Sequence, residues 1–307
     1  MEAKINRAIF NKESYGKHAD WYNKHFPDKT DKFNFYLSQK RAGESTIATW
    51  LQSCFFNCLT PLLEGGKSNW LTVGDAYGFD AQHLLSKGMD ACASDLNSDF
   101  LGVANEMGIV GEYATQNAEC LSYADESFDF LLCKESYHHF PRPYAALYEM
   151  IRVAKKAIVI IEPHDPITKM PLLMFLFNIT HFWPYLQGRL WKNRFSFEPV
   201  GNFVYKISER EFEKFAAGMN LPAVAFKYFN PNFYHPHNEL KKASFSEPAF
   251  LILRLKKLVL DTFMRLKLVP GQVLSAIIFK EMPDAALVKQ LKKEGYRVQF
   301  IPKNPYL

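Results

Sequence analysis

Short apolar runs alternate with helical stretches from Trp70 onward, and this alternation constrains the fold more than any other feature of the chain. The predicted strands are Trp70–Val73, Ala91–Ser94, Glu112–Thr115, Phe128–Cys133 and Ala157–Ile161. Helices are predicted between them near Asp80–Lys87, Phe100–Met107 and Pro143–Ala154, with Asp80 as the N-cap of the first. Strands and helices that alternate at this spacing predict a parallel sheet covered by helices on both faces.

The rest of the chain is divided around this sheet, and 307 residues allow about two domains or one domain with insertions. Further strands are predicted at Val224–Tyr228, Leu274–Phe279 and Tyr296–Ile301, and Lys40–Leu63 is predicted to be one helix. We predict six segments: a helical N-terminal segment (1–65), a Rossmann-like core (66–165), a lid insertion (166–205), a continuation of the core (206–229), a second insertion (230–270), and a C-terminal core strand with an extension (271–307). The expected fold class is α/β, with a Rossmann-like, seven-stranded, mostly parallel sheet, a helical N-terminal segment, and two insertions that cover the substrate pocket.

The composition is that of a folded protein, with 48% hydrophobic and 22% charged residues, which excludes a disordered or fibrous chain. Aromatic residues make up 15%, which indicates a large core together with an apolar pocket or contact surface. The net charge of +5 is too small to indicate nucleic-acid binding unless it is clustered. Five cysteines without a Cys-x-x-Cys pair, and an N-terminus without an apolar signal segment, favour a cytoplasmic protein.

The first predicted strand runs into a glycine-containing turn, VGDAYG, in which Gly74 and Gly78 permit tight turns before a helix. Asp95 ends the next strand, where an acidic side chain reaches ribose hydroxyls in nucleotide-binding α/β sheets. The glycine spacing differs from that of a dinucleotide fold, and Asp75 and Asp80 would repel a pyrophosphate. The turn therefore favours a ligand with a cationic end, such as S-adenosylmethionine (SAM), over NAD.

Residues 70–165 resemble class I SAM-dependent methyltransferases of the type 11 group over about a third of the chain. The glycine motif is matched by VGDAYG, the ribose-binding acid by Asp95 in SDLN, and the segment before the fourth strand by NAECLSYADESFD, Asn117 to Asp129. The motifs that follow the fourth strand and precede the fifth are matched by SYHHF and EMIRV. The chain departs from the family pattern at Thr72, where most members carry an acid, at Ala76, which replaces a glycine, and at Ala154-Lys155-Lys156, which replaces Pro-Gly-Gly.

The resemblance implies that SAM is the cofactor and that residues 66–165 bind it. The cofactor-binding residues that it implies are Gly74, Asp75 and Gly78 for the methionine and ribose portion, Asp95 for the ribose hydroxyls, Leu96, Ala118 and Glu119 around adenine, and Lys134 and Glu135 near the sulfonium. Asp75 is expected to supply the carboxylate that is missing at Thr72.

Two histidines, His138 and His139, follow the fourth predicted strand, and Glu162 ends the fifth. Since parallel strand ends open on one crevice, these side chains are expected to converge there. A neutral imidazole can remove a hydroxyl proton while a carboxylate orients the ring. The pattern resembles small-molecule and sugar O-methyltransferases, which implies that one histidine is the base and Glu162 its orienting group. The alternative is that a histidine only caps the next helix or bonds to the backbone.

A further histidine-containing segment, residues 232–239, contains His235, His237 and Glu239. The pattern His-x-His-x-Glu could bind a metal, but Pro236 separates the histidines and no further ligands are evident. We therefore expect a substrate-pocket or surface loop here, and no metal site.

Two apolar segments raise the question of a membrane. Met170–Gly188 is uncharged, but it is short for a spanning helix and contains two prolines. Phe250–Leu268 is predicted to be a basic amphipathic helix, and residues 240–268 carry seven basic and two acidic side chains. This helix either packs on the fold with a solvated charged side, or binds anionic lipid heads or a phosphorylated substrate.

The sequence thus predicts a SAM-dependent methyltransferase that acts on oxygen of a small polar acceptor, such as a sugar or sugar phosphate. Aromatic residues of the first insertion are expected to form a lid that excludes water: Phe175, Phe177, Phe182, Trp183, Trp191 and Phe203. A small-molecule acceptor and no nucleic-acid partner are expected, and the oligomeric state is open. The alternatives are a methyltransferase for a lipid-linked acceptor at the membrane surface, and a non-catalytic SAM-binding protein.

Overall fold

A central sheet of eight strands organises the chain in a computed structural model, which describes residues 7–42, 45–166, 169–190, 194–197, 203–231 and 238–306. The strands are β1 (Asn69–Val73), β2 (Asp90–Asp95), β3 (Glu112–Thr115), β4 (Phe128–Lys134), β5 (Ala154–Pro163), β6 (Ala223–Phe229), β7 (Val273–Phe279) and β8 (Arg297–Phe300). Their spatial order is β3-β2-β1-β4-β5-β7-β6-β8. Strands β1 to β5 pair in parallel, whereas β7 runs antiparallel to both β5 and β6, and β8 runs antiparallel to β6.

The predicted α/β fold with a mostly parallel sheet is confirmed, but the described sheet has eight strands rather than seven. The segment Tyr296–Ile301 is not an extension outside the sheet, because β8 pairs with β6 and places Val298 opposite Ala225. Without β8, the outer edge of β6 would expose unpaired backbone N–H and C=O groups, which favour aggregation.

Helices cover both faces of this sheet. The α-helices of the described chain are α1 (Arg7–His25), α2 (Lys29–Ala42), α3 (Ile47–Phe56), α4 (Thr60–Leu63), α5 (Phe79–Ser86), α6 (Asp99–Glu106), α7 (Pro143–Val153), α8 (Pro171–Ile179), α9 (Pro184–Leu190), α10 (Glu209–Gly218), α11 (Pro248–Arg265) and α12 (Ala285–Lys293). Leu132 of β4 packs in one core with Leu84 of α5, and Leu131 packs in the other with Leu147 of α7. The near-continuous apolar sequence of β4 follows from this burial on both sides.

The N-terminal segment is helical, but Lys40–Leu63 is three elements rather than the single predicted helix. Thr46 is the N-cap of α3. Its side-chain hydroxyl accepts a hydrogen bond from the Thr49 backbone N–H, and its own backbone N–H donates to the Thr49 hydroxyl, which completes a reciprocal capping box. Pro61 lies in the first turn of α4, where a missing N–H costs nothing. Local cap chemistry therefore interrupts an apolar periodicity that looks continuous.

The two predicted insertions contain helices α8, α9 and α11. The first insertion folds as α8, one 3-10 turn at Thr180–Phe182, and α9. The second places α11 against α3, where Phe250 and Leu253 pack on Ile47 and Leu51. Among the described residues, no helix has both the length and the apolar character that crossing a membrane requires.

Candidate active site

A cleft of about 1470 Å³ lies at the carboxyl ends of β1, β2 and β4. The chain order of the strands reverses between β1 and β4, because β2 and β3 continue to one side of β1 while β4 and β5 lie on the other. Open α/β sheets bind ligands at this switch point. The volume exceeds that of a typical site for one small ligand, so it leaves space for a cofactor and a second small molecule.

The glycine turn after β1 is held in a conformation that suits glycine. Gly74 has a φ of +75°, and a Cβ atom built there would lie 2.5 Å from the Ser136 Cβ. Gly78 has a φ of +73° and occupies the N-cap position of α5. Gly74 lines the cleft, whereas Gly78 is not among the described lining residues, because it packs against Val110. Close contacts within the chain, with Ser136 at Gly74 and with Val110 at Gly78, explain why both positions are glycine.

Asp75 is turned toward the start of α5. Its carboxylate accepts hydrogen bonds from the backbone N–H groups of Asp80 at 3.3 Å and Ala81 at 2.9 Å, and from the Thr72 hydroxyl at 3.0 Å. Burial is the main cause that raises the pKa of Asp75. Asp75 thus accepts the free backbone N–H groups at the start of α5. The prediction that Asp80 is the N-cap is wrong, because Gly78 occupies that position. The Asp75 carboxylate and the Thr72 hydroxyl are engaged with each other and with α5, so the expectation that Asp75 supplies the carboxylate missing at Thr72 stays a prediction.

Asp95 and Leu96 line the cleft directly after β2. One oxygen of Asp95 accepts the Asn97 backbone N–H at 2.8 Å, which fixes the carboxylate at the end of the strand. Burial raises the pKa of Asp95 to about 7, and the charge of Asp75 adds to the rise. A carboxylate in this position can accept hydrogen bonds from two vicinal hydroxyls, which is the predicted role of Asp95.

Lys134 and Glu135 follow β4 and also line the cleft. The Lys134 Nζ atom lies 3.2 Å from an oxygen of Asp80 and 3.7 Å from one of Glu135. Burial raises the pKa of Asp80 to about 7, although the charge of Lys134 opposes the rise. Lys134 also donates to the Gln52 side chain at 3.2 Å, so it joins α3 to the cleft. Its charge is therefore largely balanced within the protein.

Ala118 and Glu119 line the side of the cleft near β3. The Glu119 carboxylate accepts the Arg142 backbone N–H at 2.8 Å and its Nε–H at 2.7 Å. Glu119 thus fixes the loop that precedes α7. Tyr15 of α1 donates to the Asn117 side chain at 3.3 Å, and burial together with Glu119 raises the pKa of Tyr15 to about 12.

The structure brings the three predicted catalytic residues together. Glu162 is fully buried, and its Oε1 atom accepts the backbone N–H groups of Ser136 at 2.7 Å and Tyr137 at 2.6 Å. Its Oε2 atom accepts a hydrogen bond from the Nδ1 atom of His138. The His139 ring lies 4.0 Å from the His138 ring, centroid to centroid, and His139 lines the cleft. Glu162 therefore orients His138, and of the two rings His139 is the one among the described residues that line the cleft.

The N-terminal helices form much of the cleft wall, which the sequence analysis did not predict. The lining residues that they contribute are Tyr15, His18, Trp21 and Tyr22 of α1, Phe35, Tyr36 and Gln39 of α2, and Ala48, Thr49, Gln52 and Phe56 of α3. The ring of His18 lies 5.6 Å from that of His139 in an edge-to-face contact. The helical spacing of Tyr15, His18 and Tyr22 is the one signal in the sequence that places them on a common face.

None of the described residues of the two insertions lines this cleft, and the cover that they are expected to form stays a prediction. Phe175, Phe182 and Trp183 are exposed side chains, and Phe182 is 85% exposed. Trp191 of the predicted aromatic lid lies outside the described residues. Aromatic content alone could not distinguish a wall of the cleft from an outward surface, because both are apolar.

Among the described residues, the lining carries five acidic side chains, Asp75, Asp80, Asp95, Glu119 and Glu135, and a single lysine, Lys134. The lining also contains many aromatic side chains, and the Tyr22 and Tyr77 rings meet edge to face at 6.3 Å. Carboxylates and aromatic faces both attract a cation that has lost its water shell. The cleft therefore suits a ligand that combines a flat aromatic part with a positive centre.

The described residues contain no group of three or more histidine, cysteine, aspartate or glutamate side chains that could hold a metal ion. His235 and His237 of the segment 232–239 lie outside the described residues. At the end of that segment, the Glu239 carbonyl oxygen accepts the backbone N–H of Ala48 at 3.1 Å, which joins the second insertion to α3.

Comparison with known proteins shows a similarity to methyltransferases. Residues 71–161 match the family model described as a methyltransferase domain. No curated protein matches the sequence. The match covers the glycine turn, Asp95 and the two histidines, so this part of the chain is similar to a methyltransferase domain, and the similarity supports the predicted SAM cofactor.

Solved structures of methyltransferases are similar in fold. The 1,6-didemethyltoxoflavin-N1-methyltransferase of Burkholderia thailandensis, solved with its substrate and S-adenosylhomocysteine, is 11% identical, with 92% of each chain covered and a TM-score of 0.49. A SAM-dependent methyltransferase of Archaeoglobus fulgidus is 16% identical, with 75% of this chain and 93% of that chain covered and a TM-score of 0.46. The YcgJ protein of Bacillus subtilis is 16% identical, with 74% of this chain and 100% of that chain covered and a TM-score of 0.45.

Proposed function

We propose that this protein is a SAM-dependent methyltransferase that transfers the methyl group to an oxygen atom of a small polar acceptor, such as a sugar or sugar phosphate. The observation that carries the proposal is the buried pairing of Glu162 with His138 at the carboxyl ends of β4 and β5, beside the cleft. The methyltransferase-domain match and the acidic, aromatic lining support the cofactor.

The residues of the cleft fit SAM by their chemistry. Asp95 would hold the ribose hydroxyls, and Leu96 and Ala118 would pack against adenine. The carboxylates of the lining and the rings of Tyr22 and Tyr77 would favour the sulfonium charge. When bound, SAM supplies an electrophilic methyl group on a positively charged sulfur.

Glu162 prepares His138 to act as a base. Because Oε1 is occupied by two backbone N–H groups, Oε2 is fixed on the Nδ1 atom of His138. With the proton held on Nδ1, the lone pair of the ring lies on Nε2, which can take a proton from an acceptor hydroxyl. The buried carboxylate then stabilises the imidazolium that forms.

His139 is the second candidate for the base, since it lines the cleft and contacts both His138 and His18. Helices α1 and α2 would exclude water from the reacting atoms, because their aromatic side chains form one wall. Positioning and proton removal are the two contributions that an in-line methyl transfer requires from the protein.

The first test is calorimetric titration of the purified protein with SAM and with S-adenosylhomocysteine, followed by assays of S-adenosylhomocysteine release with sugars and sugar phosphates. The variants His138→Ala and His139→Ala should both bind SAM, and the variant that removes the base should lose about 100-fold or more in turnover. His181→Ala, at an exposed histidine, is the matched control.

Two results would contradict the proposal. If the protein binds neither ligand, the proposed cofactor is wrong. If turnover survives both histidine substitutions, the proposed role of these histidines in proton transfer is wrong. SAM binding with no turnover on any acceptor tested would favour the alternative of a non-catalytic SAM-binding protein.

A further inference from the structure

Helix α11 presents an apolar surface away from the protein. Its inner side is a narrow line of residues at helical spacing, Phe250, Leu253, Lys257, Asp261 and Met264, which are buried or half-buried. The opposite side is exposed and almost entirely apolar, and we call it the outer face of α11: Leu251, Ile252, Leu255, Leu258, Val259, Thr262, Phe263 and Leu266. Leu255 and Leu258 are 62% and 64% exposed.

The orientation of α11 is fixed by contacts on its inner side. Phe250 packs on the Trp50 ring at 5.2 Å. The buried Asn230 side chain donates to Asp261 at 3.0 Å, and Lys257 pairs with the same carboxylate at 2.8 Å. A rotation of the helix that turned its apolar side into the core would break these contacts with the buried Asn230 and leave its side-chain amide without the Asp261 acceptor.

Basic side chains border the outer face. Arg254 and Arg265 lie along one edge and Lys256 along the other, and all three are exposed. The acidic Asp261 lies on the inner side, so the exposed part of α11 carries no negative charge. The sequence left open a packed helix with a solvated charged side, and the structure instead directs the leucines to solvent.

We propose that the outer face of α11 docks on an anionic membrane surface. An apolar face bordered by Lys and Arg is the arrangement of helices that lie in the lipid interface, with the leucines in the acyl region and the cations at the phosphates. The helix lies on the membrane and does not span it.

The charge pattern favours lipid over a second copy of this chain. In a symmetric pairing of two outer faces, the border cations of both copies would meet with no acid between them. The exposed segment α8–α9 adds a second apolar surface, since Phe175, Trp183 and Tyr185 are exposed and no acidic residue occurs from residue 169 to residue 190. Trp and Tyr are the side chains enriched at membrane–water interfaces.

The test is co-sedimentation of the full chain with phosphatidylcholine vesicles that contain or lack phosphatidylglycerol. We expect binding to the anionic vesicles that weakens with added salt. The double variant Leu255→Ser/Leu258→Ser should bind about 100-fold more weakly, at roughly tenfold for each leucine withdrawn from lipid. Met282→Ser, at another exposed apolar side chain, should bind like the parent protein.

Two double variants test the contribution of the positive charges. Lys256→Gln/Arg265→Gln should weaken binding about 25-fold, at roughly fivefold for each basic residue. Lys292→Gln/Lys293→Gln, on exposed positions of α12, makes the same charge change and should have little effect. These readouts do not depend on methyl transfer, and circular dichroism checks that each variant is folded.

Three results would overturn the proposal. They are no binding to anionic vesicles, equal loss of binding in the α11 and α12 charge variants, and a dimer in sedimentation velocity that the leucine variant converts to a monomer. The last result would show that a second copy covers the outer face.

Discussion

Replacement of Glu162 provides the sharpest test of the site, because alanine and glutamine remove different parts of its hydrogen bonding. In Glu162→Ala, the buried backbone N–H groups of Ser136 and Tyr137 lose their acceptor. An unsatisfied buried donor costs about 1–3 kcal/mol, so the two together should lower the free energy of unfolding by about 2–6 kcal/mol. Such a loss is a large part of the stability of a typical domain.

In Glu162→Gln, the carbonyl oxygen can replace Oε1 and keep both backbone N–H groups. The amide NH2 group then replaces Oε2 beside His138 and donates to Nδ1, which moves the ring proton to Nε2. We expect a stability loss of only about 1 kcal/mol, together with a fall in turnover of about 100-fold or more, because the base has the wrong tautomer. SAM affinity should be unchanged.

Urea unfolding followed by circular dichroism measures the free energies, provided that the denaturant slopes of the three proteins agree. Equal destabilisation by alanine and glutamine would refute the reasoning, because it would mean that Oε1 does not hold the two N–H groups. A glutamine variant with parental turnover would separately refute the orienting role of Glu162.

Three further predictions concern the cleft and its wall. Because burial raises the pKa of Asp95 to about 7, its carboxylate becomes protonated as the pH falls through that value, and SAM affinity should drop up to tenfold per pH unit below it. Asp95→Asn should bind weakly and with a shallower slope in calorimetry, because Asp80, whose pKa burial also raises to about 7, still lines the cleft. Gly74→Ala should destabilise by about 2–4 kcal/mol in thermal unfolding, since its Cβ would clash with Ser136, whereas Gly88→Ala, at a φ of +80° in open space, should cost about 1–2 kcal/mol. Tyr36→Phe should cost about 1–2 kcal/mol and speed amide exchange in α2, because its hydroxyl lies 2.9 Å from the Tyr77 carbonyl oxygen and 3.1 Å from that of Phe100.

The strand–turn–helix units of the core could be predicted because their signals are local. The apolar run of β1, the glycines that follow it and Asp95 lie within one supersecondary unit, where periodicity and turn chemistry agree. The convergence of His138 and Glu162 followed from the rule that parallel strand ends share a crevice. The reciprocal capping box of Ser208 and Glu211 at the start of α10 is a local feature of the same kind, since both partners lie within one turn.

Other features could not be predicted because they depend on contacts between residues far apart in the chain. The sequence does not show that Asp75, rather than Asp80, satisfies the start of α5, since both acids stand near the helix start and only the turn geometry separates them. The pairing of β8 with β6 joins segments separated by an insertion, strand β7 and helix α12, so no local signal assigns β8 to the sheet.

The amino-acid sequence by itself determined the α/β class, the methyltransferase motifs and the position of the candidate base, because each rests on short-range patterns of apolar, glycine and acidic residues. The tertiary structure decided which apolar surfaces face inward. Tyr22 and Tyr36 form the cleft wall by packing near Tyr77 and Phe100, whereas equally apolar residues of α11 point outward because Asp261 and Asn230 fix the opposite side. The hydrophobicity of a side chain determines that its removal from water lowers the free energy. Which residues cover that side chain depends on how segments far apart in the chain pack together.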